Sequence, residues 1–241
     1  MTRWTNDAAI RRWGAMPRAV LETMEQYGDF AKRHLVNPVL LRMLSDLRGR
    51  RVLDAGCGNG YLSRMLAERG AQVVGVEPGQ ALFDFAVEKE EQQPRGIRYL
   101  QADLCNLPDL GLFDVVVASM VLPAIPEWAP AMRACVAALS PSGLFVFTVN
   151  HPCFEQLWLS WREHGEYRTR QYLAEYEING PHGVDFHRPL STYLNELINL
   201  GCRLREVTEP GLDPVVAATG PEGIDAYVHL PNFLIVACER A

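Results

Sequence analysis

Basic charge, paired cysteines and long apolar runs are all scarce in this sequence of 241 residues. Lysine and arginine number 23 against 29 acidic residues, so the formal net charge at pH 7 is −6. This balance argues against a nucleic-acid partner, because proteins that bind nucleic acids usually carry a basic face. The six cysteines stand singly with no C-x-x-C pair, which argues against a zinc site and against a disulfide framework.

The scarcity of apolar runs bears on localisation. No stretch approaches the roughly 18 apolar residues of a membrane span. The first residues, MTRWTNDAAIRRW, carry charges where a signal peptide needs an apolar core. Together with the unpaired cysteines, these features predict a cytoplasmic protein that has reduced thiols and binds neither a membrane nor a metal.

The sequence does contain a regular alternation of strand-like apolar runs and helical patterns. Strands are predicted at 51–55, 72–77, 97–102, 114–120, 144–150, 203–210 and 233–240. Helices are predicted at 60–69, 79–91, 127–139 and 188–201, with apolar residues at helical spacing. Such alternation is typical of an α/β fold, in which helices cover both faces of a mostly parallel sheet.

A glycine-rich turn follows the first of these strands, in VLDAGCGNGYL (52–62). Gly56, Gly58 and Gly60 fall between the strand end at Asp54 and the next helix. In an α/β sheet this turn lies at the carboxyl ends of the strands, where ligands bind, and glycine lets the backbone approach a ligand closely. The turn is therefore predicted to hold a small molecule. A dinucleotide loop, G-x-G-x-x-G, needs glycine at position 61, where the chain has Tyr61.

The glycine-rich turn and several later motifs resemble those of class I S-adenosylmethionine-dependent methyltransferases. DAGCGNG is followed by an acid, Glu77, at the end of the second predicted strand. QADLCNLP puts Asp103 after the third strand, FDVVVASMVLPAIPEW resembles the fourth strand with its loop, and LSPSGLFVFTVN resembles the fifth. The resemblance is strong over about residues 35 to 150 and looser beyond them.

This resemblance implies a Rossmann-like, seven-stranded, mostly parallel sheet with helices on both faces, and S-adenosylmethionine as the cofactor. In the family, the acid at Glu77 binds both ribose hydroxyls, the acid at Asp103 accepts from the adenine amino group, and the N–H at Leu104 meets the adenine ring. The backbone near Ser119 and Met120 is expected to face the methionine part. The implied cofactor-binding residues of the core are Asp54, Gly56, Cys57, Gly58, Gly60, Glu77, Pro78, Asp103, Leu104, Ser119 and Met120. Taken singly, Glu77 and Asp103 are also compatible with turn or N-cap roles.

One domain with four parts is expected. Residues 1–48 are predicted to form a cap of two or three helices over the cofactor, and 49–150 form the cofactor-binding core. Residues 151–187 are an insertion that holds two Trp, three Tyr and two Phe, and 188–241 supply a closing helix and the last two strands. The insertion is interpreted as a substrate lid; the alternatives are a helical pair packed on the sheet and a dimer surface.

Two residues of the cap are candidates for a contact with the cofactor. We hypothesise that Tyr27 or Arg33 reaches the methionine carboxylate. The alternative is that each is an ordinary packing or surface residue.

A catalytic base is harder to identify, because methyl transfer from a sulfonium is an in-line displacement that requires few residue types. If the acceptor is a hydroxyl, carbon or ammonium, a base adds rate, and histidine is the usual candidate. His151 directly follows the fifth strand and is the predicted base, with a turn-forming role as the alternative. His182 and His187 in the insertion are weaker candidates.

The expected function is transfer of the methyl group of S-adenosylmethionine to an oxygen or nitrogen of a small organic metabolite. Two rival classes stay open. One is an enzyme such as a cyclase or isomerase that uses the cofactor only structurally, and the other is a binding protein without catalytic activity. A nicotinamide dehydrogenase is the weakest rival because of Tyr61. Neither the acceptor nor the oligomeric state, monomer or homodimer, follows from the sequence.

Overall fold

The structure is a computed structural model that describes residues 4–24 and 26–240. The strands of this part of the chain are β1 (Arg51–Ala55), β2 (Gln72–Val76), β3 (Arg98–Leu100), β4 (Phe113–Ser119), β5 (Leu139–Asn150), β6 (Tyr176–Asn179), β7 (Val184–His187), β8 (Cys202–Thr208) and β9 (Phe233–Arg240). Seven of these described strands form the main sheet, in the order β3-β2-β1-β4-β5-β9-β8, and β6 and β7 form a separate hairpin.

Parallel pairing runs through the first five strands of the sheet. β1 pairs in parallel with β2 and β4, β3 pairs with β2, and β5 pairs with β4. β9 pairs antiparallel with both β5 and β8. The predicted seven-stranded, mostly parallel sheet is therefore confirmed. The carboxyl ends of β1 and β4 meet where the order of the strands reverses, which is the usual ligand-binding edge of such a sheet.

Helices surround this sheet. Those of the described residues are α1 (Asn6–Trp13), α2 (Arg18–Thr23), α3 (Asn37–Leu44), α4 (Tyr61–Ala67), α5 (Gln80–Gln92), α6 (Trp128–Ala137), α7 (Leu157–His164), α8 (Leu190–Asn199), α9 (Pro214–Ala217) and α10 (Ala226–His229). A π-helical turn, Lys32–Val36, leads into α3. The helices predicted at 60–69, 79–91, 127–139 and 188–201 correspond to α4, α5, α6 and α8.

Both faces of the central strands are buried. Successive residues of a strand point to opposite faces, and in β1 Val52 joins one apolar cluster while Leu53 joins another. Side chains of α3 and α4 belong to the first cluster, and those of α6 and α8 belong to the second. Strands buried on both faces have nearly continuous apolar sequences, which is why they could be recognised from the sequence.

The insertion at 151–187 contains regular structure that the sequence analysis does not predict. It holds α7 and the hairpin, in which Tyr176 pairs with His187 and Ile178 pairs with Asp185. The two strands have only four residues each and mix polar with apolar side chains, so their pattern is weak. The lid role of this segment stays a prediction.

Candidate active site

A cavity of about 260 Å³ opens at the carboxyl ends of the parallel strands. The turn after β1, the end of β2, the segment after β3 and the end of β4 each contribute to its wall. The predicted residues that line it are Gly56, Cys57, Gly58, Glu77, Pro78, Asp103, Leu104, Ser119 and Met120. Four strand ends thus converge on one space, as the sequence order of these motifs predicts.

The glycine-rich turn is shaped by close packing at one position and by open space at another. Gly56 has φ +74°, and a Cβ there would lie 2.6 Å from Cγ2 of Val121. Gly58 has φ +55°, and the nearest atom to a Cβ there would be Leu82 Cδ2 at 3.9 Å. The backbone at Gly58 therefore faces the cavity without a covering side chain, so a ligand can approach it closely.

Glu77 is the buried acid of the cavity. It is 7% exposed, Oε1 accepts from Gly79 N (2.7 Å) and Oε2 accepts from Gly58 N (3.0 Å). Burial raises the pKa of Glu77 to about 7, and the two backbone hydrogen bonds lower it in part. Each carboxylate oxygen can accept a second hydrogen bond. The side chain is thus held at a fixed position with acceptor capacity left for a ligand.

Asp54 and Gly60 stand at the two ends of the turn and are not among the residues that line the cavity. Asp54 is buried, and Ser63 Oγ donates to its Oδ2 at 2.6 Å. Burial raises the pKa of Asp54 to about 6, and the hydrogen bonds from Ser63 oppose this rise. Gly60 has φ +77° and precedes α4 as its N-cap. Both residues therefore support the turn, since they join β1 to α4.

Asp103 caps a short turn and also lines the cavity. Its Oδ1 accepts from Cys105 N at 3.0 Å, so it caps the short 3₁₀ turn Leu104–Asn106. It also lines the cavity, beside Leu104. An N-cap role and a ligand-facing position are therefore compatible in this carboxylate.

The end of β4, which lines the cavity, has an unusual backbone conformation. Met120 has φ +61°, which is rare for a residue other than glycine. Its N–H donates to both Thr148 O (3.0 Å) and Thr148 Oγ1 (3.1 Å) of the neighbouring strand β5. Such conformations persist where surrounding contacts hold them, and they cluster at functional sites.

Tyr27 and Arg33 are not among the residues that line this cavity, and their contact with the methionine carboxylate stays a prediction. They line a second, polar cavity of about 620 Å³, and the Arg33 guanidinium lies over the Tyr27 ring at 5.4 Å. The cation that lines the first cavity is their neighbour Lys32, whose Nζ is 3.4 Å from Asp29 Oδ2. Lys32 begins the π-helical turn, and such turns are frequent at functional sites.

The three candidate histidines also lie outside the described wall of the first cavity. His151 is 2% exposed, its Nε2 is 2.6 Å from Glu209 Oε1, and its Nδ1 accepts from Cys153 N at 3.1 Å. His187 is buried with Nε2 2.8 Å from Tyr172 O. Both ring nitrogens of His151 are thus already engaged, while the base role predicted for it stays a prediction.

Several residues of the cavity wall are missed by the sequence analysis. Helix α1 contributes Asn6, Ala9, Ile10 and Trp13, and the hairpin contributes Asp185. These residues belong to segments without βα alternation, and no motif singles them out. Helix α1 belongs to the segment that the sequence predicts to cap the cofactor, and that role stays a prediction.

A metal-binding cluster and a membrane-spanning helix are both absent from the described residues. Within residues 4–24 and 26–240, no group of three or more His, Cys, Asp or Glu residues could hold a metal ion. No helix formed by these residues is long and apolar enough to cross a membrane.

Several known proteins to which this chain is similar are described as methyltransferases. A family model described as a methyltransferase domain matches residues 53–147. The ubiquinone biosynthesis O-methyltransferase of Coxiella burnetii is 38% identical over 128 residues, which cover 51% of this chain and 55% of that protein. The protein of the same name from Acinetobacter baylyi is 28% identical over 205 residues, which cover 79% of this chain and 81% of that protein. The chain thus spans about half the length of the first relative.

A solved structure matches over a larger share of the chain. The S-adenosylmethionine dependent methyltransferase from Mesorhizobium loti is 30% identical with a TM-score of 0.72. The match covers 84% of this chain and 96% of that one. The likeness therefore extends over most of this chain and nearly all of that one.

Proposed function

The chain belongs to the S-adenosylmethionine-dependent methyltransferases, and we propose that it transfers the methyl group of S-adenosylmethionine to a small organic acceptor. The observation that carries this proposal is the Glu77 carboxylate, which is buried, held by two backbone N–H groups and exposed to the cavity. A buried acid with unused acceptor capacity needs hydrogen-bond donors. The two hydroxyls of a ribose supply them.

The rest of the cavity wall fits the other parts of the same molecule. We assign Asp103 and the N–H of Leu104 to the adenine, and the backbone of Ser119 and Met120 to the methionine part. Lys32 is the cation that we assign to the methionine carboxylate. The turn residues Gly56, Cys57 and Gly58, together with Pro78, would lie against the sugar and the methionine chain.

Bound in this cavity, S-adenosylmethionine supplies an electrophilic methyl group on a positively charged sulfur. The protein's part is to align the acceptor with that methyl group and to exclude water. Helix α1 covers the cavity with Ala9, Ile10 and Trp13, which are suited to excluding water. A single well-shaped cavity can therefore carry the reaction with few chemically active side chains.

The acceptor atom is proposed to be oxygen or nitrogen. Oxygen is favoured because the two curated relatives are named O-methyltransferases. We further propose a cytoplasmic protein, monomer or homodimer, that does not act on nucleic acid. The net charge of −6 and the six free cysteines support this part of the proposal.

Calorimetric titration with S-adenosylmethionine and S-adenosylhomocysteine tests the cofactor assignment, with NAD as a control ligand. We expect both sulfur compounds to bind wild type and the Glu77→Ala variant to lose at least tenfold in affinity. The exposed acid Glu91 offers a matched control, since Glu91→Ala leaves the cavity untouched. Failure of wild type to bind either compound contradicts the proposal.

Turnover separates methyl transfer from a purely structural use of the cofactor. With a labelled methyl group, a methyltransferase moves the label into the product and leaves S-adenosylhomocysteine. Product formation with intact S-adenosylmethionine would favour the cyclase or isomerase alternative instead.

A further inference from the structure

Asp185 is the residue through which the insertion reaches the cavity. All of 151–187 is described, and of these residues only Asp185 lines the cavity wall. In β7, Val184 and Phe186 pack against Ala9 on one side of the hairpin. Because side chains alternate along a strand, Asp185 points to the opposite side. It shares the cavity with Ser119 and Met120 at the end of β4, where we assign the methionine part of the cofactor.

The carboxylate of Asp185 differs from the other acids of the cavity wall. Within residues 4–24 and 26–240, no hydrogen bond or ion pair involves its side chain, although the residue is half-buried. By contrast, Glu77 accepts from two backbone N–H groups and Asp103 accepts from Cys105 N. An acid that lines a cavity without such a partner is a candidate for binding a ligand.

A second acid shapes the electrostatics around Asp185. Burial, and then the charge of Asp185, raise the pKa of Glu155 to about 8. Burial raises the pKa of Asp185 to about 6, while Lys32 and Arg188 oppose this rise. At neutral pH, Glu155 is therefore mostly protonated and Asp185 mostly ionised. One negative charge is thus concentrated on the carboxylate that faces the cavity.

We propose that Asp185 accepts a hydrogen bond from the O–H or N–H group of the methyl acceptor and takes its proton during the transfer. This inference rests on the proposed function. The lone pair of the acceptor oxygen or nitrogen forms the bond to the methyl carbon, and the bond between carbon and sulfur breaks with its electron pair staying on sulfur. The acceptor proton passes to the Asp185 carboxylate and then to water, so charge and atoms balance.

The chemistry of Asp185 selects the acceptor class. A carboxylate accepts hydrogen bonds and donates none when it is ionised. The acceptor must therefore carry a protic group, either a phenol-type hydroxyl or an amine. An acceptor carboxylate would be repelled by Asp185. We thus assign protic, uncharged or cationic small molecules to this site.

The pH dependence of such a base is set by the charged and titratable groups around it. Lys32 from the π-helical turn and Arg188 after β7 stabilise the ionised form of Asp185. Glu155 lies close enough to interact with it electrostatically, as does Tyr193 of α8. We expect kcat/KM for the acceptor to fall as the pH drops through about 6, because protonated Asp185 no longer takes a proton.

The first test is binding, for which catechol and 2-phenylethylamine serve as hydroxyl and amine probes. Each is titrated by calorimetry into protein saturated with S-adenosylhomocysteine. We expect at least one probe to bind wild type, and Asp185→Asn to weaken that binding at least tenfold. The exposed acid Glu175, just before the hairpin, provides the matched control Glu175→Gln, for which we expect unchanged binding. The probe that binds tells a hydroxyl acceptor from an amine acceptor.

The second test is turnover of the probe that binds. We expect Asp185→Asn to lower kcat by about 100-fold, in the range of general-base catalysis, and to abolish the fall of kcat/KM near pH 6. The affinity for S-adenosylmethionine should stay within threefold of wild type. If neither probe binds, or if Asp185→Asn leaves probe binding or the pH profile unchanged, the assignment of Asp185 is wrong. Loss of cofactor binding by wild type would instead contradict the proposed function.

Discussion

Glu77 combines burial with a remaining capacity to accept hydrogen bonds. Its two backbone partners, Gly58 N and Gly79 N, hold the carboxylate at the end of β2. Desolvation nevertheless dominates and raises its pKa to about 7. Hydroxyl donors from a ligand would stabilise the ionised form and bring this pKa down again. Binding of the proposed cofactor is therefore coupled to the release of a proton.

We predict that the affinity for S-adenosylhomocysteine rises about tenfold between pH 6 and pH 8. A group with a pKa near 7 is about tenfold more ionised at pH 8 than at pH 6, and the ionised form is the one that accepts from the ribose. Calorimetry at several pH values measures the affinity. In Glu77→Gln the dependence should be lost, while in Asp185→Asn it should persist. A flat profile in wild type would contradict the prediction.

His151 illustrates a residue whose sequence position and surroundings point to different roles. It follows β5 directly, yet it is 2% exposed and caps the short turn Pro152–Phe154 through Cys153 N. Its Nε2 faces Glu209 Oε1 at 2.6 Å. These contacts favour the turn-forming alternative, in which the imidazole holds the chain after β5.

For His151→Gln we expect a loss of stability of about 1 kcal/mol, because the N–H of half-buried Cys153 loses its acceptor, whereas the other partner, Glu209, is 54% exposed and accessible to water. If Asp185 takes the proton, the pH profile of kcat in this variant should match that of wild type. Thermal unfolding and pH–rate measurements check the two expectations. A flattened profile would favour the base role that the sequence predicts for His151.

At the scale of elements, the parallel strands were accessible to sequence analysis and the hairpin was not. β1, β2 and β4 are buried on both faces, and their apolar runs end at Asp54, Glu77 and Ser119, so both the strands and their ends could be predicted. The hairpin strands mix Tyr, Glu, Val and Asp, and their pairing depends on contacts with α1. Tertiary contacts of this kind leave no periodic signal.

The contrast between local sequence pattern and tertiary contact also explains which residues of the candidate site the sequence predicts. Among the wall residues, Glu77 directly follows β2 and Asp103 comes three residues after the end of β3, so local pattern was enough to identify them. Lys32 and Asp185 come from segments far apart in sequence, and only folding brings them to the cavity. Arg33, one residue from Lys32, lines the other cavity. Within a helical turn, a sequence pattern alone does not decide which neighbour faces a ligand.

The turn after β1 and the end of β4 fit together closely, and this supports a prediction for Gly56→Ala. The new Cβ would lie 2.6 Å from Cγ2 of Val121, at a φ of +74°. We expect a loss of stability of about 2 kcal/mol or more, since overpacking adds to the cost of the left-handed conformation. Weaker binding of the cofactor should accompany it.

Thermal unfolding with a matched variant separates the cost of overpacking against Val121 from the cost of the left-handed backbone conformation. Gly49 has φ +70°, and a Cβ there would have no atom of the described residues within 4 Å, so Gly49→Ala reports the conformational cost alone. Adding Val121→Ala to Gly56→Ala should recover the steric part. Equal losses in Gly56→Ala and Gly49→Ala would show that the contact with Val121 is unimportant.

At the scale of the whole molecule, Arg188 connects two walls of the cavity. It is 2% exposed and donates to Leu122 O (3.2 Å), Ile125 O (2.7 Å) and Pro126 O (2.9 Å). It directly follows β7, whereas its three acceptors belong to the segment after β4. The hairpin that carries Asp185 is thus fixed to the segment after β4, whose Ile125 and Pro126 also line the cavity.

We predict that Arg188→Met costs about 3 kcal/mol of stability, because several buried carbonyl groups lose a charged donor. It should also weaken acceptor binding more than cofactor binding, since the position of Asp185 depends on it. Chemical denaturation and calorimetry measure these effects. The exposed Arg203 is the control, and Arg203→Met should change stability by about 1 kcal/mol or less. Equal effects of the two variants would contradict the prediction.

Helix α1 is attached to this hairpin as well. Arg12 Nη2 donates to Gly180 O (2.8 Å), and Trp13 Nε1 donates to Val184 O (3.1 Å). Since α1 forms part of the cavity wall, its displacement during entry of the cofactor would pull on the strand that carries Asp185. The proton-accepting carboxylate would then be in place only after α1 has returned. We therefore expect a compulsory order of addition, in which the methyl donor enters first and its spent form leaves last.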